Sequence, residues 1–264
     1  MTAVLESLDP GILTLIVVAG FAAGWVDAVV GGGGLIQLPV VLLIPGMSPV
    51  QALATNKMGS VFGTATSAVT FYRRTTAPLR PALPMAAVAF CGSFGGASVA
   101  SLLPAEVFKP VILAALIGVA SFTVARPQAG QLERPQRARR EQALIGTALG
   151  VGIGFYDGIL GPGTGSFLII GMITLLGFSF LRASAQAKVV NLATNLGALL
   201  FFSLNGSLVP LLGLVLGAAN MLGGYVGARS AVARGNRFIR VVFLAVVLVL
   251  IAKMAWDVYR ELLA

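Results

Sequence analysis

No histidine occurs anywhere in this chain of 264 residues, and cysteine occurs once, at Cys91. The first absence removes His-based acid–base relays, Ser-His triads and His-ligated metals. The second rules out an internal disulfide, and Cys91, in an apolar run, is expected to pack as a small hydrophobe. Charge is scarce as well. Asp, Glu, Lys and Arg make up 10% of the residues, against roughly a quarter in a soluble domain.

What fills the space is apolar. Hydrophobic residues are 57% of the chain and the mean hydropathy is +0.94. Runs with hardly any charge recur from Gly11 onward, each near the length needed to cross a bilayer. The composition predicts an all-α polytopic membrane protein, in contact with lipid. The net charge of +9 would suggest nucleic acid in a soluble protein. Here the arginines cluster in short loops between apolar segments, which is the positive-inside pattern of a membrane topology, with no nucleic-acid partner. The run from Gly11 to Gly24 resembles a signal-peptide core but follows the acidic Glu6 and Asp9 and leads into a glycine motif, so it reads as mature structure.

Ten hydrophobic elements can be traced: 12–30, 35–44, 50–72, 81–103 and 107–125, then 142–160, 166–176, 183–204, 208–228 and 238–258. The stretch 126–141, RPQAGQLERPQRARRE, is polar, basic and Pro-containing. It divides the chain into a first transmembrane repeat (1–125), a cytoplasmic linker (126–141) and a second repeat (142–264). The two repeats align residue by residue. Gly20, Gly24, Asp27, Gly31 and Gly33 match Gly150, Gly154, Asp157, Gly161 and Gly163. After a one-residue shift, Ala52, Lys57 and Phe71 match Ala183, Lys188 and Phe202. Matching Asp and Lys in the same order is much harder to reach by accident than matching Gly or Ala.

Loop charge then orients the repeats. Arg73, Arg74 and Arg80 follow the third element of the first repeat, whereas its counterpart SLNGS is uncharged. After the fourth element the imbalance reverses, with Arg229, Arg234, Arg237 and Arg240 on the second repeat. The repeats are therefore expected to be inverted, with both termini outside the cytoplasm. The second element of each repeat is short. Either it crosses thinly, or it forms a re-entrant hairpin with the first.

Asp27, Lys57, Asp157 and Lys188 are the ionisable residues placed well inside the membrane. A charge there costs a few kcal/mol, so it faces a cavity or a partner. The bland alternative is a pair that only braces the repeats, and one pair can both brace and bind. The clusters Gly31, Gly32, Gly33, Gly34 and Gly161, Gly163, Thr164, Gly165 come straight after apolar helical runs. Such glycines should break the helix and aim the positive end of the next short helix into a cavity, which suits an anion. Lys57 with Ser60 and Thr64, and Lys188 with Asn191 and Asn195, repeat one helical face at i, i+3 and i+7. Asn56 stands beside Lys57. These residues are the candidate substrate site, with Asp27 and Asp157 as candidate proton-coupling groups. No metal site or cofactor is expected.

The segments GFAAGWVDAVVGGGGLIQLPVVLL and MSPVQALATNKMGSVFGTATSAVTFYRR, with the echoes GFYDGILGPGTGSFLI and AQAKVVNLATN, resemble the sulfite exporter TauE/SafE family, also called the toluene sulfonate uptake permease family. The resemblance covers most of the chain outside 126–141. It implies a multi-pass permease of the inner (plasma) membrane for small inorganic or organic sulfur oxyanions, working without ATP, since no Walker-type loop is present. Sulfite export by alternating access is the leading expectation. Import, or transport of another anion such as sulfate or an organosulfonate, stands beside it, and a homodimer is compatible with the small-residue faces around Gly95 and Gly223. With no His and no activated Cys, an enzyme would lack a nucleophile and its base.

Overall fold

The computed structural model describes residues 10–75, 82–100 and 138–263. Every regular element among them is an α-helix: α1 (Pro10–Val30), α2 (Gly34–Leu42), α3 (Pro49–Arg74), α4 (Ala82–Ala100), α5 (Arg139–Ile159), α6 (Thr164–Leu176), α7 (Phe180–Leu204) and α8 (Pro210–Leu263). Helices α1, α4 and α7 are each long and apolar enough to cross a membrane. Helices are also what a bilayer demands, because they satisfy their own backbone polar groups. The chain is an all-α polytopic membrane protein. The expected element 107–125 and residues 126–137 of the expected linker lie outside the described residues, and the linker's last three residues belong to the first turn of α5.

The short elements turn back. Helices α2 and α6 have 9 and 13 residues, about 14 and 20 Å of helix, well short of a hydrocarbon core of about 30 Å. Ile12 and Ile16, at the start of α1, share one apolar cluster with Val41 and Ile44 at the far end of α2. In the second half, Tyr156 meets Phe167 edge-to-face at 5.1 Å, and Leu149 lies beneath Gly171. Each short helix therefore runs antiparallel to its predecessor, and a glycine cluster forms the tip of each hairpin.

The helix contacts repeat with the halves exchanged. Helix α8 packs on α1 and α3, while α4 packs on α5 and α7. Equivalent glycines make equivalent approaches: Gly24 abuts the backbone of Asn220, and Gly154 abuts that of Ala89. Gly223 fits against Phe21 and Trp25, and Gly92 against Val151 and Phe155. In lipid such close backbone approach supplies dispersion contacts where the hydrophobic effect between helices is absent. These small-residue faces are used within the chain. Large apolar side chains such as Val18, Leu83, Leu144, Leu200 and Leu222 stay exposed on the outer faces.

Two expectations are corrected. The expected loop carrying Arg229, Arg234 and Arg237 is shorter than the charge pattern suggests: the arginines are helical, and α8 is two helices that meet at a tight turn at Gly235 (φ 69, ψ −163). Arginine is a good helix former, so a single left-handed glycine suffices to turn the chain. The bend lets Asn236 Oδ1 accept from the Leu181 N–H at 2.8 Å, satisfying the start of α7. Cys91 is not packed inside; it lies on the exposed face of α4.

Candidate functional site

The four expected ionisable residues meet at the centre, and they pair across the two halves. Lys57 of α3 reaches Asp157 of α5 with Nζ–Oδ2 at 2.6 Å. Lys188 of α7 reaches Asp27 of α1 with Nζ–Oδ2 at 3.0 Å, and also donates to the Asp27 backbone carbonyl. Lys57 and Lys188 are 1% and 0% exposed, so neither ammonium would be tolerable without its carboxylate. Asp157 accepts from the Thr164 hydroxyl at 2.6 Å, and Asp27 from the Thr64 hydroxyl at 3.4 Å. Asn195 Nδ2 donates to Thr64 Oγ1 at 3.5 Å, so the two lysine-bearing faces touch each other.

The hairpin tips meet beside these pairs. Gly31 and Gly161 hold the same left-handed backbone at φ 81, so the repeat is visible in conformation as well as in sequence. Equivalence ends there, because Gly163 is left-handed at φ 86 while Gly33 is helical at φ −57. Gly31 lies directly on Gly165, and a Cβ on either would overlap the other's backbone. Ser166 fastens the contact, its N–H donating to Gly31 O at 3.3 Å and its hydroxyl to Val30 O at 2.8 Å. The second tip is pinned by the Tyr156 hydroxyl, which donates to Pro162 O at 2.7 Å.

Capping separates the long helices from the short ones. Ser48 caps α3 in a reciprocal box with Gln51, and Ser179 caps α7. Helices α2 and α6 begin at Gly33 and Gly163 with no side-chain cap. The N–H groups of Leu35, Ile36, Thr164 and Ser166 are bonded to the carbonyls of Gly32, Gly33, Gly161 and Gly31, so what the two helix starts present between the tips is chiefly their positive dipole ends.

Between the tips is a cavity of about 20 Å³, lined by Asp27, Gly31, Gly34, Asn56, Lys57, Ser60, Asp157, Gly161, Gly163, Thr164, Gly165, Asn191 and Asn195. Most of the expected site is brought together here. Gly32, Gly33 and Lys188 do not line it; Gly33 instead allows close packing under Ala23 and Asp27. The buried Asn56 Oδ1 has no hydrogen-bond partner. Lys57 is thus the ammonium that borders the cavity, whereas Lys188 is sealed against Asp27. Among the described residues no three metal-ligating acids or thiols gather.

Two functional residues escaped the sequence reading. Asn220 Nδ2 of α8 donates to Gln37 Oε1 of α2 at 2.5 Å, and Gln37 Nε2 donates to the Asn56 carbonyl at 3.2 Å. Both amides are buried. They bolt the first hairpin to α8 just behind Asn56. The repeat offers no counterpart, since Phe167 and Ala89 occupy the equivalent positions. The available signal was a lone amide in each of the apolar runs GLIQLPVVL and LVLGAANMLGG.

Comparison with known proteins places this architecture. The profile of a family described as "Sulfite exporter TauE/SafE" matches residues 16–254. The chain is 36% identical over 253 residues to "Probable membrane transporter protein ORF9" of a Sinorhizobium species, covering 96% of both chains. It is 34% identical to a "Probable membrane transporter protein" of Haemophilus influenzae, covering 95% of this chain and 98% of that one. It is 33% identical to "Probable membrane transporter protein YfcA" of Escherichia coli K12, covering 96% and 93%. No solved structure matches.

Proposed function

Since the chain belongs to the sulfite exporter TauE/SafE family of membrane transporters, we propose that it is a secondary transporter of small sulfur oxyanions, with sulfite export as its activity. The observation that carries this reading is the cavity between the two hairpin tips. The positive ends of α2 and α6 and the Lys57 ammonium border it, beside the Asp157 and Asp27 carboxylates that pair with the two lysines. That donor set complements a compact anion better than a cation.

At about 20 Å³ the cavity holds roughly one water, so an oxyanion enters only when the tips part. Alternating access follows if the hairpins open to one side at a time, around the glycine contact between Gly31 and Gly165. Charge supplies the coupling. Two ammonium groups and two carboxylates cancel at the centre, so an entering anion adds uncompensated charge in a low dielectric. A proton taken up by Asp157 would release Lys57 to the anion, and one taken up by Asp27 would release Lys188. Proton-coupled transport is therefore part of the proposal.

The test is anion flux in proteoliposomes of the purified protein, comparing sulfite, sulfate, thiosulfate and a sulfonate. Sulfite flux accompanied by proton movement, lost in Lys57→Ala, is the expected result. Undiminished flux in both Lys57→Ala and Lys188→Ala would sink the assigned site, and preference for sulfate or a sulfonate would replace the assigned substrate.

A further inference from the structure

A second, larger cavity lies away from the centre. It measures about 650 Å³ and runs between α3 and the first stretch of α8, lined by Thr66, Val69, Thr70, Arg73 and Arg74 together with Tyr225. Its polar groups divide cleanly into used and unused donors. The Thr66 hydroxyl donates to Phe62 O at 2.9 Å and the Thr70 hydroxyl to Thr66 O at 2.7 Å, so neither proton is free. Arg229 Nη1 donates to the Tyr225 hydroxyl at 3.0 Å, with the guanidinium 5.4 Å from the ring centroid. The tyrosine oxygen accepts there, and its own proton remains available to the groove. Arg73 and Arg74 are exposed, and no carboxylate is among the lining residues.

The duplicated half shows that the fold does not require this opening. With Lys57 set on Lys188, Thr66, Val69, Thr70, Arg73 and Arg74 correspond to Gly197, Leu200, Phe201, Leu204 and Asn205. There Gly197 presses on the Phe90 backbone, and the Phe94 and Phe201 rings pack edge-to-face at 5.6 Å. One copy of the place is filled with aromatic rings. The other is open, hydroxyl-lined and capped by three arginines.

We infer that this groove binds the phosphate of an anionic phospholipid. The basic cap sits over apolar helix faces: Val69 lies one turn before Arg73, and the exposed Met221 and Leu222 lie one turn before Tyr225. A free oxyanion would use the cap and leave those faces bare, whereas a phospholipid uses both. Guanidinium groups bind phosphate through paired hydrogen bonds, and basic pockets between membrane helices are the expected sites for anionic head groups. The site stands apart from the central cavity and does not depend on the transported species.

Native mass spectrometry of the detergent-purified protein tests it, with phosphatidylglycerol and phosphatidylcholine titrated in parallel. Wild type should retain phosphatidylglycerol at least about tenfold better, and Arg73→Gln/Arg74→Gln should abolish that preference. Tyr225→Phe removes one donor without touching charge and should weaken the preference in part. Equal retention of both lipids, or a preference that survives the double substitution, would overturn the inference. So would displacement of phosphatidylglycerol by millimolar inorganic phosphate, which would mark a free-anion site. Dimers that dissociate in the double variant would instead assign the face to a second copy of the chain. None of these readouts uses sulfite flux, so failure here and failure of the transport assignment remain separate.

Discussion

Asp27 and Asp157 each find their cation on the opposite half of the chain, and that exchange governs what single substitutions do. Lys188→Ala leaves a buried carboxylate without its ammonium, at a cost of about 3–5 kcal/mol. The double variant Lys188→Ala/Asp27→Asn should recover most of it, and thermal unfolding in detergent would read both. Lys57 borders the cavity and Lys188 does not, so Lys57→Gln should lose sulfite flux by more than about tenfold even where the protein stays folded. Equal losses of flux in Lys57→Gln and Lys188→Gln would remove that distinction. The charged residues were legible because nothing else in an apolar chain is so costly to bury. Their partners were not, because the linear order allows Asp27 to pair with Lys57 as readily as with Lys188. Gln37 and Asn220 escaped for a different reason: a neutral amide costs less to bury, and these two lack repeat counterparts to draw attention to them.

At the scale of elements, the hairpin tips are the sensitive points. Gly31→Ala combines a left-handed backbone with overlap against Gly165, so a loss of about 2 kcal/mol or more is expected from the conformation and the clash together. Gly146→Ala, in a helix with nothing within 4 Å of the added Cβ, should be neutral or stabilising by about 0.5–1 kcal/mol. Comparing the two by thermal unfolding separates a structural glycine from an incidental one. Asn220→Leu strands the Gln37 amide and should cost about 1–3 kcal/mol, with Gln37→Leu/Asn220→Leu less damaging than the single change. The helix breaks could be placed from sequence, because a run of glycines after an apolar segment leaves a helix little choice. Whether the next element crossed or returned could not. That depends on Ile16 meeting Val41 and Tyr156 meeting Phe167, contacts between residues whose side chains carry no directional signal. The break between 228 and 238 was placed from sequence and falls at Gly235, but its arginines, which are good helix residues, made the loop look longer than it is.

For the whole molecule, the two arginine groups that charge assigns to one side do converge, since Arg73, Arg74, Tyr225 and Arg229 lie at one groove. With Cys91 replaced by Ser, Arg229→Cys and Arg74→Cys should react with an impermeant thiol reagent from the same face of the membrane, and Gly206→Cys from the other. Labelling of all three from one face would contradict the inverted arrangement. The repeated order of helices was readable because residue spacing survives duplication, whereas the open groove in one copy and the aromatic plug in the other record how the copies have since diverged. The crossed ion pairs also bear on biosynthesis. When the first half enters the membrane, the partners of Asp27 and Lys57 have not yet been translated. The two must wait on each other or on water, and be handed over when Asp157 and Lys188 arrive. Insertion of this chain is thus completed by a late exchange of ionic partners, and a truncated first half is an unfinished electrostatic circuit that quality control can recognise.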